Sequence, residues 1–316
     1  MTIGIAASGP RAGLAVFRAL AAVERVATGS IGGFAAFAAI DADGELHRAE
    51  TQRGGTTTLF VDGESTGVTP PDAVARAPWA AVMSSGPERP APLSQYVPAE
   101  PGAGLVTGHR LPNAAGNSGR PVNLEVLDLL RQGLPAKAAV EAVLRGDREA
   151  DAGIIAIDRN GGVYGCNSER VDRRPDLGHA RRESSGVVME VLHNAIVPAG
   201  PIAALAAEVG LAVMAPGPIA DAEFLVTASV PVVAGDINRV VLDGNGEAQR
   251  VETTDTRILS GRHNCAAIYL HSEVVADGAV IGHTVFEPNV VVEDGLIATL
   301  NGRTAMRIGY LSSGRG

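Results

Sequence analysis

Apolar and polar positions alternate along this chain in short blocks, and the blocks define most of its elements. TIGIAA (Thr2 to Ala7) is apolar throughout and stops at Ser8-Gly9-Pro10, which predicts a buried strand. Leu14, Phe17 and Ala21, with Val16, Leu20 and Val23, follow at helical spacing, and the stripe ends before Gly29. From Gly29 to Gly55 the text is GSIGGFAAFAAIDADGELHRAETQRGG. Two extended runs flank Ile40-Asp41-Ala42-Asp43-Gly44, where Asp and Gly supply the dihedrals of a tight hairpin. The first run is built of Ala and Phe rather than Val and Ile, which indicates close packing against another layer. TTTLFVDGESTG (Thr56 to Gly67) continues in the same manner, and residues 69–104, rich in Pro, Ala and Ser, read as a long irregular crossing.

NLEVLDLLRQG from Asn123 predicts a short amphipathic helix closed by Gly133. PAKAAVEAVLRG predicts a second, with Pro135 in its first turn. AGIIAIDRNGGVYGCNS (Ala152 to Ser168) then repeats the earlier hairpin, and VVLDGNGEAQRV from Val240 is a weaker echo. Two sheets built from like hairpins fit this self-similarity, as does turn chemistry shared by unrelated strand pairs. PIAALAAEVGLAVM (Pro201 to Met214) predicts a further helix, and strand-like segments alternate with turns from Val226 onward. No charge shift or linker divides the chain. It therefore reads as one domain over 1–316, with the irregular crossing near 69–104 and a strand-rich part near 226–316. Sheets packed together with helices outside are expected, the four-layer αββα sandwich being one solution.

Composition narrows the function. A hydrophobic content of 46% in 316 residues supports a sizeable aliphatic core. A net charge of −9, with Lys and Arg scattered, would repel a phosphate backbone, so nucleic acid is not an expected partner. Arg18, Glu24 and Arg25 interrupt the apolar run after Ala12, so neither a signal peptide nor a membrane span fits, and a cytoplasmic location is expected. Cys166 and Cys265 stand far apart and form neither a disulfide framework nor a zinc spacing.

The block GLVTGHR…NLEVLDLLRQGLPAKAAVEAVLRG…AGIIAIDRNGGVYGCNS resembles the second half of the isoaspartyl peptidase and asparaginase type of N-terminal nucleophile hydrolases, and the first hairpin resembles that family's nucleophile hairpin. The two blocks cover about a third of the chain. The resemblance implies an αββα core and hydrolysis of an amide or cyclic amide C–N bond in a small, acidic substrate, without cofactor or metal and with a homo-oligomer in prospect. The sequence departs from the family at two points. Aligning the turn aspartates puts Phe34 where the family has its nucleophile, so a strand four residues longer is needed to give Ser30 that role, and Arg53 stands where the family has a Thr beside Gly-Gly.

An N-terminal nucleophile uses its own freed α-amine as base for the adjacent hydroxyl or thiol. Gly29-Ser30 is a plausible cleavage bond, although Gly29 as a helix cap and Ser30 as the first polar residue of a strand explain the same letters. Thr2 is a rival, ranked below Ser30, because loss of Met1 would expose it at the head of a strand. TGHRLPN (Thr107 to Asn113) gathers the hydroxyl of Thr107, the imidazole of His109, the guanidinium of Arg110 and the amide of Asn113 around Gly108, a density suited to a polar ligand or to a solvated turn; Arg110 is the candidate for a substrate carboxylate. In TQRGGTTT, Gly54 and Gly55 could offer amides to an oxyanion, with Thr51 and Arg53 beside them. Polar islands elsewhere hold His193, and His263 two residues from Cys265, a possible imidazole and thiol pair. His271, Glu273, His283 and Glu287 lack the spacing of a metal site. Three readings therefore compete: a processed hydrolase using Ser30, an uncleaved enzyme using His109, His193, His263 and Cys265 for hydrolysis or isomerisation, and a ligand-binding protein that has lost its nucleophile.

Overall fold

A computed structural model describes residues 1–28, 31–216 and 220–313. The chain divides into two compact units, Met1–Pro216 and Gly217–Gly316. This corrects the single-domain reading. Each unit buries its own apolar clusters, but both are rich in Ala, Val and Gly, so no change of composition marks the boundary. None of the described helices is long and apolar enough to cross a membrane.

The first unit mixes strands and helices. In chain order it contains β1 (Thr2–Ser8), α1 (Ala12–Val26), β2 (Ala35–Ile40), β3 (Leu46–Thr51), α2 (Thr56–Leu59), the two-residue pair β4 (Val61–Asp62) and β5 (Ser65–Thr66), α3 (Asp72–Arg76) and β6 (Trp79–Ser85). Next come β7 (Ala99–Glu100), β8 (Gly104–Arg110), α4 (Val122–Arg131), α5 (Ala136–Gly146), β9 (Ala152–Asp158) and β10 (Val163–Asn167). The unit closes with α6 (Glu169–Asp172), β11 (Leu177–Ser184), β12 (Val187–Asn194) and α7 (Ala199–Met214). An antiparallel six-stranded sheet runs β11-β12-β1-β6-β2-β3, and a four-stranded one β10-β9-β8-β7.

Side-chain alternation along β1 assigns each face. Ile3, Ile5 and Ala7 pack with Val16, Leu20 and Val23 of α1 and Ile202, Ala203 and Ala206 of α7. On the opposite face, Ala6 packs with Ala36, Ala38 and Met83 of its own sheet and with Leu105, Ile155 and Ile157 of the other. The far side of the smaller sheet, Val106, Ile154 and Ala156, buries Val126 and Leu130 of α4 and Val140 of α5. Each fully buried Val, Leu or Ile here contributes about 1.5–3 kcal/mol. The Ala-rich β2 is thus explained: both of its faces are covered, and small residues let both layers come close.

The irregular crossing predicted for 69–104 conceals β6, which lies between β1 and β2 in the six-stranded sheet. WAAVMSS has few β-branched residues and sits between prolines, so burial rather than local propensity makes it a strand. The hairpin repeat is real at its turns. Asp41 Oδ1 accepts from the N–H of Asp43 and Glu45, Asp158 Oδ1 from Asn160 and Gly162, and Asp243 Oδ1 from Asn245 and Glu247. The first two hairpins lie one in each sheet of this unit and the third lies in the second unit.

The second unit, described by itself, has a seven-stranded sheet and a three-stranded sheet of Arg262–Cys265, Val290–Glu293 and Leu296–Leu300 around a core that includes Phe224, Val240, Ile268 and Ile308.

Glycine sets the spacing of the two sheets in the first unit. A Cβ on Gly4 would lie 2.5 Å from the carbonyl oxygen of Gly108, and one on Gly108 would collide with the carbonyl of Gly153. Gly4→Ala is therefore expected to cost about 1–3 kcal/mol of stability, read as a lower urea midpoint. Gly146→Ala, with open space around it at the end of α5, should be neutral or stabilising by up to about 1 kcal/mol. Equal midpoints for Gly4→Ala and the wild type would contradict this packing.

Candidate functional site

Where Gly4 faces Gly108, the ends of β1, β6, β8, β10 and β12 meet, and polar side chains replace the apolar ones. Thr2, only 2% exposed, heads β1 opposite Asn194 of β12 and Ser85 of β6. Its Oγ1 lies 2.7 Å from Asn194 Oδ1 and accepts the Arg110 backbone N–H at 2.6 Å. Arg110 has φ 69°, a left-handed conformation uncommon outside glycine. Its guanidinium is clamped by Asp151 through Nε at 2.9 Å and Nη2 at 2.7 Å. That hydrogen bonding raises the pKa of Arg110 and lowers that of Asp151.

His109 is fully buried between the sheets. Its Nδ1 is 3.3 Å from Asn194 Oδ1 and its Nε2 is 2.7 Å from Asn167 Oδ1, while Asn167 Nδ2 donates to Asp172 Oδ1 at 3.0 Å. Burial pushes the imidazole down to about 4 against the opposing pull of Asn167 and Asn194, so His109 is neutral near pH 7. Arg89, in the loop after β6, donates from Nε to Ser85 Oγ at 3.3 Å, and Gln52 pins its backbone with contacts of 2.6 and 3.0 Å. Among the described residues the Arg89 guanidinium has no carboxylate partner. The α-amine at Met1 is lowered by burial first and then by the charges of Arg110 and Arg89.

The residues expected from sequence fall in several places. Ser30, with Gly29, lies outside the described residues. Phe34 is 0% exposed and stacks edge-on against Tyr96 at 5.0 Å, so it is core. Thr107 is buried and donates to the Val82 carbonyl at 2.9 Å, tying the two sheets together; its expected catalytic role is corrected to a structural one. Arg110 is corrected as the carboxylate ligand, because Asp151 already holds it. Asn113 donates to Gln95 Oε1 at 2.9 Å.

The expected oxyanion site at Gly54 and Gly55 is corrected as well. The Gly55 N–H bonds the Gly33 carbonyl, and the carboxylate of Glu24 takes the next amide, Thr56 N, at 3.0 Å. Burial raises the pKa of Glu24. Beside them, Thr51 Oγ1 donates to the Arg53 carbonyl, and the exposed Arg53 pairs with Glu88.

His193, one residue from Asn194, points to the other face of the sheet, where Nε2 contacts the Ala199 carbonyl at 2.9 Å and Nδ1 is buried with no hydrogen-bond partner among the described residues. His263 and Cys265 belong to the second unit. His263 Nε2 bonds the Ser260 carbonyl at 2.8 Å, and burial raises the Cys265 thiol, so no activated thiolate is formed. The pairing of imidazole and thiol is thereby corrected. Glu273 pairs loosely with Arg239 at 3.7 Å, and Glu287 accepts the Leu270 N–H at 3.2 Å. Among the described residues, the atoms of Asp41, Glu45 and His47 are close enough to share a cation, at the tip of the first hairpin, but Asp41 already bonds His47 Nε2 at 2.7 Å and serves the turn.

Asn194, Asn167, Asp151, Asp172 and Arg89 were not singled out from sequence. Asn194 stood in the polar island LHNA beside His193, and strand alternation could have separated the two; Asn167, Asp172 and Arg89 gather only through the fold.

The family model described as Domain of unknown function (DUF6963) matches residues 2–223, and the chain belongs to that family. A second model, Domain of unknown function (DUF7259), matches residues 229–305, within the second unit. No curated protein matches the chain.

His109 and His193 both have pKa values lowered by burial. Well above the unfolded value of about 6.5 both states are neutral and stability is complete. As pH falls from about 6.5 toward 4, the unfolded chain binds protons that the folded chain refuses, so stability is lost. Urea titrations across this window should show a loss on the order of 3 kcal/mol for His109, with His193 acting in the same direction. A midpoint independent of pH between 6.5 and 4.5 would contradict a buried neutral His109.

Proposed function

We propose that the chain is a hydrolase of the N-terminal nucleophile kind, acting on an amide or cyclic amide C–N bond of a small acidic substrate, with Thr2 rather than Ser30 as its nucleophile. The helix pair, sheet, sheet, helix pair order supports the αββα comparison, and fold likeness alone does not carry the chemistry. The observation that carries it is Thr2 Oγ1 at the head of a central strand, held by the Arg110 N–H at 2.6 Å and Asn194 at 2.7 Å. The reading requires the Met1–Thr2 bond to be cut, which frees the α-amine and removes the half-exposed Met1 side chain.

The freed amine takes the Thr2 hydroxyl proton as Oγ1 attacks the substrate carbonyl carbon. The Arg110 N–H and the Asn194 amide stabilise charge on Oγ1. The C–N bond breaks as the ammonium returns the proton to the leaving nitrogen, leaving an ester on Thr2. Water, deprotonated by the same amine, then attacks the ester carbon and releases the acid and the hydroxyl. Arg89, anchored on Ser85 directly across the sheet from Thr2, holds the substrate carboxylate. The protein works on small molecules in the cytoplasm, without cofactor and as a homo-oligomer.

Ligand binding without turnover is the second reading, favoured by Phe34 in the core at the position of the family's nucleophile. Hydrolysis of a panel of small amides and lactams bearing a carboxylate separates the two. Thr2→Ala should lower turnover by about 10³-fold or more, Thr2→Ser should retain it in part, and Ser30→Ala should leave it intact. Arg89→Ala should raise KM about tenfold or more for carboxylate substrates and leave their amidated analogues unchanged. Full activity in Thr2→Ala would overturn the assignment, and binding by every variant without turnover would establish the second reading.

A further inference from the structure

The polar chain behind Thr2 has a direction that its chemistry fixes. Asp172, as a carboxylate, only accepts hydrogen bonds, so the Asn167 amide must turn its NH2 to it and its oxygen to His109 Nε2. Nε2 therefore carries the hydrogen. A neutral imidazole has one N–H, so Nδ1 presents a lone pair, and the Asn194 atom 3.3 Å away must be a donor. An amide exchanges its oxygen and nitrogen by a half-turn with the same contacts. The other amide atom of Asn194 makes no hydrogen bond among the described residues, so the half-turn forfeits none. One NH2 group then serves two acceptors, His109 Nδ1 and Thr2 Oγ1. With Asn194 and the Arg110 N–H both donating to it, Oγ1 has its own proton left to donate elsewhere.

We propose that Asp172, acting through Asn167, His109 and Asn194, sets the direction of the Thr2 hydroxyl proton, turning it away from the sheet interface and toward the nitrogen of residue 2. Asp172, Asn167 and His109 are positioning residues, and Asn194 touches the reacting oxygen itself. Every other arrangement of a neutral His109 puts an acceptor against an acceptor, at Asn167, at Asp172 or at Asn194. The ionisable groups whose charge acts on His109 are His193 and Arg110, neither of which favours an imidazolium. The catalytic consequence rests on the Thr2 reading above, whereas the hydrogen-bond direction does not.

Two-bond proton–nitrogen correlation spectra of the full chain labelled with 15N-histidine read the tautomer without any substrate. His109 is expected as the Nε2–H tautomer at pH 7 and neutral down to pH 5. Asp172→Asn, at an exposed position, lets each amide turn over and should convert a measurable fraction to the Nδ1–H tautomer; Asp172→Glu should restore the wild-type pattern. An Nδ1–H tautomer or an imidazolium in the wild type, or no change in Asp172→Asn, would overturn the proposal. If the tautomer behaves as expected and no variant hydrolyses any amide, the Thr2 reading fails while the relay stands. If Thr2-dependent hydrolysis is found, Asp172→Asn should lower kcat by about tenfold with KM unchanged; an unchanged kcat would overturn the catalytic role of the relay.

Discussion

The close approach of two sheets at Gly4 and Gly108 is the constraint on which the rest of the first unit depends. Without side chains at these positions, and at Gly153 beyond them, the backbones come near enough for groups on one sheet to bond groups on the other. Thr107 reaches the Val82 carbonyl, the Arg110 amide reaches Thr2, and His109 fits between Asn167 and Asn194. Away from this end the same interface is mainly apolar, with Ala, Ile, Leu, Met and the Phe34–Tyr96 pair, and Glu190 is held there by His179 and Arg181. The polar cluster around Thr2 is thus confined to one end of a mainly apolar layer.

That confinement raises the energetic stakes of every polar group involved. Buried donors and acceptors left unpaired cost about 1–3 kcal/mol each, and a connected network rigidifies the groups it joins. Thr2, Asn194, His109, Asn167 and Asp172 form such a network, while Arg110 is held independently by Asp151. A hydroxyl fixed from two sides on rigid strands suits chemistry that needs a preset geometry. Arg89 differs from the other arginines around it: Arg110 and Arg174 are matched by Asp151 and Asp176, whereas among the described residues the Arg89 guanidinium bonds a serine hydroxyl and no carboxylate.

Much of the architecture was legible in the sequence. The helices α1, α4, α5 and α7 follow from their apolar spacing, and the two hairpins from their Asp-x-Asp/Asn-Gly turns, because both signals are local. β6 was not, since Ala, Met and Ser between prolines carry no strand signal and only its place between β1 and β2 makes it one. The division into two units was equally silent, both sides having the same composition. TGHRLPN reads as a turn, whereas Thr107 to Arg110 are the end of strand β8, and the letters could not say that Arg110 contributes its backbone while its guanidinium is held by Asp151. The roles of Asn167, Asn194 and Asp172 depend on strands that are distant in the chain and adjacent in the sheets, which no spacing encodes.

The claim that Thr2 acts through its own amine is tested most directly by two preparations that differ only ahead of it, one starting at Thr2 and one retaining a residue before it. Both are assayed against the same small amides with a carboxylate. Turnover by the chain with a free Thr2 amine, and none by the extended chain, is the result the account predicts. Equal rates from the two would contradict it.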